Sequence, residues 1–168
     1  MSTLIPKSMF ATLLLAASCA TLADDGRGGG KPLAFAGVFY PAFSAPPALD
    51  PVRCPATHPI LFQFQGDSNT TLGYAAIAQS HCEDEAHTGF VRGLQTITTQ
   101  NGDMLHGTYQ GKILPTPTTQ TDGALVVSGA YRNTGGTGAF GKANGKGVTV
   151  GTVNLFTGAV VVAVTGDL

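Results

Sequence analysis

Short segments in which apolar and polar residues alternate follow one another along most of the chain. Alternation with a period of two is typical of β-strands that bury one face, and no segment carries the 3.6-residue period of an amphipathic helix. Such strands, several with internal glycines, predict an all-β domain over residues 33–168 that forms a small antiparallel closed barrel of about eight strands. The predicted strands are residues 33–40, 60–65, 72–78, 90–99, 104–114, 124–133, 148–155 and 159–165.

The connections between these strands are marked by turn residues, prolines and polar clusters. Asn101 and Gly102 stand between two alternating runs and predict a tight β-hairpin, because both residues tolerate a positive φ. The last strand is apolar on both faces from Val160 to Val164, so we expect a neighbouring subunit or a loop to cover it, and a homo-oligomer is predicted. Loops are predicted at residues 41–55, where five prolines occur, and at residues 66–69, 80–87 and 114–122.

The glycine-rich segment 135–142 contains the spacings G-x-G-x-x-G and G-x-x-x-x-G-K, which occur in two kinds of nucleotide-binding loop. Both motifs require a helix directly after the glycines, because its free N–H groups hold the phosphate. Two more glycines and a β-branched run follow here, so neither a helix nor nucleotide binding is predicted. We interpret the segment as a tight connection between strands, in which Phe140 closes one end of the barrel. Its turn residues are Gly135, Gly136, Gly138 and Phe140.

Composition narrows the classes of partner. Hydrophobic residues make up 43% of the 168 residues, which is sufficient for a core and unlike a disordered chain. The formal net charge is −1 and only 11% of residues are charged, so no basic surface for nucleic acid is predicted.

Residues 1–23 have the organisation of a secretory signal peptide. Lys7 precedes an apolar segment, residues 9–17, that is too short to span a bilayer, and small residues suitable for cleavage follow it. We therefore expect an exported protein, periplasmic or extracellular, without a membrane span and with residues 24–32 as a flexible leader. The sequence before Cys19 also resembles a lipoprotein signal, which leaves an outer-membrane lipoprotein with a lipid anchor at Cys19 as an alternative.

Two cysteines, Cys54 and Cys82, follow the predicted signal peptide. An even pair in an exported chain predicts one disulfide bond, although two free buried thiols are the alternative. Closing a loop of this length stabilises a fold by roughly 3 kcal/mol in the chain-entropy model.

Side chains that bind cations are clustered in residues 81–87, with His58 as a further ligand if the disulfide joins the two loops. A solvated loop explains the same residues, so no metal site is predicted. The weak alternative is a metal site formed by His81, Glu83, Glu85 and His87.

Tyrosines on the predicted strands offer hydroxyl groups that would orient a ligand inside the barrel, although ordinary core tyrosines have the same pattern. An arginine on a strand needs solvent, a partner or a bound anion. No G-x-S-x-G elbow is present, so no catalytic residue and no cofactor are predicted. The lumen candidates are Tyr74, Tyr109, Tyr131 and Arg132.

Several turn motifs resemble those of one family of barrels. Residues 135–140 read GGTGAF and residues 143–145 read ANG, while residues 100–109 read QNGDMLHGTY and residues 72–73 read LG. In this order they resemble the allene oxide cyclase/dirigent-like barrel superfamily, and its secreted bacterial members in particular. A Thr stands at residue 71, where those members have His. The resemblance covers roughly residues 60–168 and implies an eight-stranded antiparallel barrel with an apolar cavity.

The resemblance leaves two classes of function open. One is an exported small β-barrel that binds a small apolar ligand or serves as a stable scaffold. The alternative is a cofactor-free isomerase or cyclase that acts in the barrel lumen, since the superfamily includes such cyclases as well as proteins that steer radical coupling. A preformed pocket accelerates a reaction through orientation without a recognisable motif, so the sequence does not decide whether the protein is an enzyme.

Overall fold

A computed structural model describes residues 33–116 and 119–168 of the chain. The predicted signal peptide, the leader and the alternative lipid anchor at Cys19 lie outside the described residues. Among the described residues, no helix combines the length and the apolar character needed to cross a membrane.

Eight strands make up most of the described chain, with a one-turn helix α1 (Thr119–Asp122) before β6 and a 3₁₀ turn at Gly138–Phe140 after it. The strands are β1 (Ala34–Leu49), β2 (Ile60–Thr70), β3 (Gly73–Glu83), β4 (Gly89–Thr99), β5 (Met104–Pro115), β6 (Ala124–Gly136), β7 (Lys146–Asn154) and β8 (Val160–Asp167).

Each strand pairs antiparallel with the next one in the chain, and β8 pairs antiparallel with β1, which closes the barrel. The predicted all-β, eight-stranded closed barrel is therefore confirmed. The predicted hairpin is confirmed as well, because residues 100–103 connect β4 to β5 and Gly102 has a φ of 89°. A positive φ of this size explains why glycine occupies the position.

The prediction of a loop across residues 41–55 is wrong for its first part, because β1 continues to Leu49. Beyond Phe39, β1 no longer pairs with β8 and has only one isolated bridge on that side, from Ala42 to Ala159, while its pairing with β2 continues with two register shifts. Pro46 and Pro47 therefore lie where the strand has one neighbour, so a missing N–H group interrupts no second ladder.

Two further predicted loops contain strand residues. Residues 66–69 continue β2 without a turn, and Ser68 is buried with its hydroxyl donating to the Ala75 carbonyl oxygen at 3.0 Å. Residues 80–83 belong to β3, and α1 lies inside the predicted loop 114–122. Polar side chains hid the two strand segments, because they alternate between the two faces of a strand as apolar ones do.

The core lies inside the barrel and consists of three clusters. One is at the end of the lumen that Phe140 closes, and two lie toward the opposite end. The first cluster includes Phe35, Ile97 and Leu105, and Phe140 is buried against it as predicted. The other two are centred on Phe62 with Phe64 and Val160, and on Phe90 with Ile113, Leu125 and Val127.

Candidate functional site

The lumen between these clusters is incompletely filled. It contains about 60 Å³ of space that the centre of a water-sized sphere can reach. A cavity holds one water molecule from roughly 10–15 Å³ upward, so this lumen has room for more than a single water. Its walls are mainly apolar and include Phe39, Phe62, Phe64, Phe90, Ile113, Leu125, Val153 and Val162.

The polar groups of the lumen are concentrated on one wall, formed by the neighbouring strands β3, β4 and β5. On β3, Gln79, His81 and Glu83 occupy alternate positions and therefore share the inner face. Gln95 on β4 and Tyr109 on β5 line the same cavity. Gln79 donates to the side-chain oxygen of Gln95 at 3.4 Å.

Four of the side chains near this wall form a continuous hydrogen-bonded chain, which we call the Tyr–His–Glu–His chain. The Tyr109 hydroxyl lies 2.9 Å from Nδ1 of His81, and Nε2 of His81 lies 2.7 Å from Oε1 of Glu83. The second oxygen of Glu83, Oε2, lies 2.7 Å from Nδ1 of His87. His81 and Glu83 are more than nine-tenths buried.

The direction of these hydrogen bonds follows from the carboxylate. When Glu83 is an ionised carboxylate it only accepts hydrogen bonds, and Nε2–H of His81 and Nδ1–H of His87 then both donate to it. In the neutral ring of His81 this leaves a lone pair on Nδ1, which accepts from the Tyr109 hydroxyl. The chain therefore has the order of hydroxyl, imidazole base and orienting carboxylate that activates nucleophiles in hydrolases.

The chain leads from the apolar lumen to the protein surface. The side chain of His87 is 37% exposed, whereas that of Glu83 is 8% exposed. His87 has a φ of 52°, an uncommon conformation for a residue other than glycine. This left-handed geometry accompanies the short contact between its ring and Glu83, so the loop after β3 is shaped around the outer end of the chain.

Aromatic rings enclose the inner end of the chain. The ring centroid of His81 lies 5.0 Å from that of Phe90, 5.2 Å from that of Phe64 and 5.7 Å from that of Phe62. Burial raises the pKa of the Tyr109 hydroxyl well above its usual range; the positive charge of Arg53 opposes this effect and the negative charge of Glu83 adds to it. Tyr109 is therefore a protonated hydroxyl group at neutral pH.

The disulfide predicted from the sequence is present and supports this site from outside. Cys54 and Cys82 are bonded, and Cys82 lies between His81 and Glu83 with its side chain fully buried. Arg53, beside Cys54, donates to Ser80 Oγ at 2.9 Å and to the Arg92 carbonyl oxygen at 3.0 Å. The loop before β2 is thus attached to the part of β3 that carries the imidazole and the carboxylate.

The structure separates the four lumen candidates. Tyr109 lines the cavity, whereas Tyr131 is buried in the first core cluster and does not line it. Tyr74 is 53% exposed, and Arg132 is exposed in an outer groove that also contains Arg92 and Lys146. The prediction that Tyr74 and Arg132 face the lumen is wrong, because both occupy outward positions in the strand alternation.

The residues of the weak alternative, a metal site, are not arranged to bind a metal ion in the described part of the chain. His81 and His87 are both hydrogen-bonded to Glu83, and Glu85 is exposed and outside the Tyr–His–Glu–His chain. Within residues 33–116 and 119–168, no group of three or more His, Cys, Asp or Glu side chains is placed to hold a metal ion. His58 pairs instead with Asp84 at 3.8 Å.

Asp84, which follows Glu83 in the sequence, is held by a different set of hydrogen bonds. Burial alone would raise the pKa of Asp84, but hydrogen bonds from the backbone and hydroxyl of Thr88 outweigh it and hold the pKa below its usual range. Asp84 therefore closes the turn that presents His87 to Glu83.

Comparisons with family models, with curated proteins and with solved structures return no match for this chain, so its own residues carry the functional interpretation.

Proposed function

We propose that this protein is an exported β-barrel that binds a small, largely apolar molecule in its lumen. The observation that carries the proposal is the cavity itself, which is apolar on most sides and polar on one wall. Pockets of this kind, with a few convergent polar groups, are the usual form of small-molecule sites. The disulfide, typical of oxidising compartments, and the N-terminal sequence support export.

The two walls of the cavity define the ligand class. Phenylalanine and valine side chains around Val162 favour a ring or short hydrocarbon. On the polar wall, Gln95 accepts from Gln79, and no hydrogen bond from the Gln95 amide nitrogen is formed within the described residues. That N–H group fits one acceptor oxygen on the ligand, such as the oxygen of a ketone.

The glycine-rich turn motifs support a relation to the allene oxide cyclase/dirigent-like barrels.

Cyclohexanone, a six-membered ring with one carbonyl oxygen, is a suitable probe. We expect isothermal titration of the purified protein to show one binding site with a negative heat-capacity change, because apolar surface is buried. Val162→Phe should abolish binding, since the added ring occupies the cavity that Val162 lines.

Val161→Phe is the matched control, because the neighbouring side chain on β8 is 43% exposed and points outward. It should bind cyclohexanone as the wild-type protein does. Overpacking costs about 1–3 kcal/mol, so thermal unfolding checks each variant, and Val153→Leu is a milder filling of the same cavity. Absence of binding to the wild-type protein, or equal binding by Val162→Phe and Val161→Phe, would refute the lumen as the site.

A further inference from the structure

We propose that the Tyr–His–Glu–His chain catalyses proton transfer at the carbon next to the carbonyl group of a small, enolisable ketone or aldehyde held in the lumen. The proposal rests on the proposed function, since the substrate is the lumen ligand, and adds a reaction to it. Tyr109 and His81 are the catalytic residues of this reaction, and Glu83 and His87 are positioning residues.

Burial distinguishes the Tyr–His–Glu–His chain from an ordinary network of polar side chains on a protein surface. As whole residues, His81 and Glu83 are 8% and 6% exposed, and the His81 ring lies among aromatic rings where polar groups are costly. In each of the two imidazoles, one ring nitrogen lies 2.7 Å from an oxygen of the same carboxylate, that of Glu83. The inner end of the chain is a tyrosine hydroxyl at an apolar cavity, and the outer end is the partly exposed His87. This arrangement connects a mainly apolar cavity to solvent through groups that exchange protons.

The positions of Tyr109 and Gln95 suit an enolisation. Gln95 is opposite Gly107 in the β4–β5 pairing, so Tyr109 is its diagonal neighbour on the inner face. Diagonal neighbours are roughly 7–8 Å apart at the backbone, within reach of long side chains. A carbonyl oxygen that accepts from the Gln95 amide would therefore place its neighbouring carbon on the side of the Tyr109 hydroxyl.

The proposed step conserves atoms and electrons and needs no other reactant. The C–H bond next to the carbonyl breaks, its proton passes to Oη of Tyr109, and the tyrosine proton moves to Nδ1 of His81. The C–H electron pair becomes the C=C bond of an enolate, whose oxygen accepts from the Gln95 amide, while Glu83 stabilises the imidazolium ion. Return of the proton to the same carbon exchanges hydrogen, and return to a conjugated carbon moves a double bond.

Deuterium exchange of cyclohexanone tests this step, because its α-hydrogens are lost from the proton NMR spectrum as the enolate takes deuterium from D₂O. We expect the purified protein to accelerate exchange at least about 100-fold over the same concentration of reduced, unfolded protein. Tyr109→Phe should bind cyclohexanone with an unchanged Kd and lose about 100-fold in the rate of exchange.

Tyr131→Phe is the matched control, since it removes a second buried tyrosine hydroxyl that does not line the cavity. It should keep both binding and exchange. Glu83→Gln should lower kcat about tenfold or more while KM stays within about twofold, and Glu83→Asp should restore part of kcat, because the effect acts through the orientation and charge of His81.

The outcomes separate the two proposals. Binding of cyclohexanone without exchange would overturn the catalytic role and leave the ligand-binding function in place. Exchange that persists in Tyr109→Phe would overturn the assignment of the catalytic residues. Absence of binding to the folded wild-type protein would overturn both. If Tyr109→Phe does not fold, the Glu83→Gln variant tests the catalytic role of the chain instead. A ratio of kcat to KM equal to that of the wild type would overturn this role.

Discussion

Two tyrosine hydroxyls inside the same barrel have different surroundings. The hydroxyl of Tyr109 pairs with His81, whereas that of Tyr131 is buried with no hydrogen-bond partner among the described residues. Burial raises the pKa of Tyr131 to about 12, and the negative charge of Asp167 contributes in the same direction. Tyr131 contacts the backbone of β7 and β8, since a side chain at Gly147 or Gly166 would meet its ring or hydroxyl group.

These raised pKa values predict a loss of stability in alkaline solution. The unfolded chain releases its tyrosine protons near about pH 10, while the folded state keeps them, so the free energy of unfolding falls from about pH 10 to pH 12. Urea denaturation at several pH values measures the fall, and Tyr131→Phe should make it shallower. An equally steep fall in Tyr131→Phe would contradict the burial assigned to this hydroxyl.

The spacing of residues along β3 indicated part of the candidate site, although the polarity of these residues concealed it. Gln79, His81 and Glu83 are spaced by two, as the inner face of a strand requires, but the charge and polarity of residues 80–87 indicated a solvated loop. The contact between His81 and Tyr109 could not be predicted in the same way. It depends on the registers of β3 with β4 and of β4 with β5, each of which shifts within the strand.

The end of β3 is the element on which the candidate site depends most. It carries His81 and Glu83 on its inner face and the disulfide partner Cys82 between them. The loop before β2 covers this end through the disulfide and through the hydrogen bonds of Arg53. Loss of the bridge therefore acts on fold stability and on the alignment of the Tyr–His–Glu–His chain together.

Replacement of both cysteines by serine should lower the free energy of unfolding by about 3 kcal/mol, because the bridge closes a loop with a sequence separation of 28. Urea denaturation of the oxidised wild type and of the double variant measures the difference. Dithiothreitol should lower the stability of the wild type and leave that of the variant unchanged. Equal stability of the two proteins would show that the bridge does not constrain the unfolded chain.

The strands were predicted best where glycine and asparagine mark a turn, as between β4 and β5. They were predicted worst in β1, where prolines indicated a loop. The proline prediction failed because the sequence does not reveal that the second half of β1 pairs mainly with β2 and so tolerates missing N–H groups. Strand ends depend on the neighbours that barrel closure supplies.

At the scale of the whole molecule, the outer face of β7 and β8 is unusually apolar. Val148 and Val150 are 58% and 55% exposed, and Val161 on the neighbouring strand is exposed as well. Ala163 lies opposite Val150 and continues the patch. Contiguous exposed apolar surface of this kind is typical of interaction sites between subunits.

We therefore expect the protein to self-associate through this patch, as its last strand predicts. Light scattering at micromolar concentration should give a mass greater than that of one chain. Val150→Asp should reduce the mass to that of a single chain without loss of thermal stability, because it places a charge in the interface. Thr149→Val, on the inner side of the same strand, should not change the mass. A monomeric wild-type protein would contradict the prediction.

The closed barrel could be predicted from strand number, glycine content and turn motifs, since each is a local property of the sequence. The cavity could not, because it is the space that remains after side chains from all parts of the barrel have packed. Both proposals therefore depend on whether the lumen accepts a small molecule.

A crystal structure of the protein grown with cyclohexanone tests this role of the lumen most directly. We expect electron density for one ring in the lumen against Phe62, Phe64 and Val162, with the carbonyl oxygen within hydrogen-bond distance of the Gln95 amide nitrogen. Density confined to the outer surface, or a lumen in which these side chains have closed together, would contradict it.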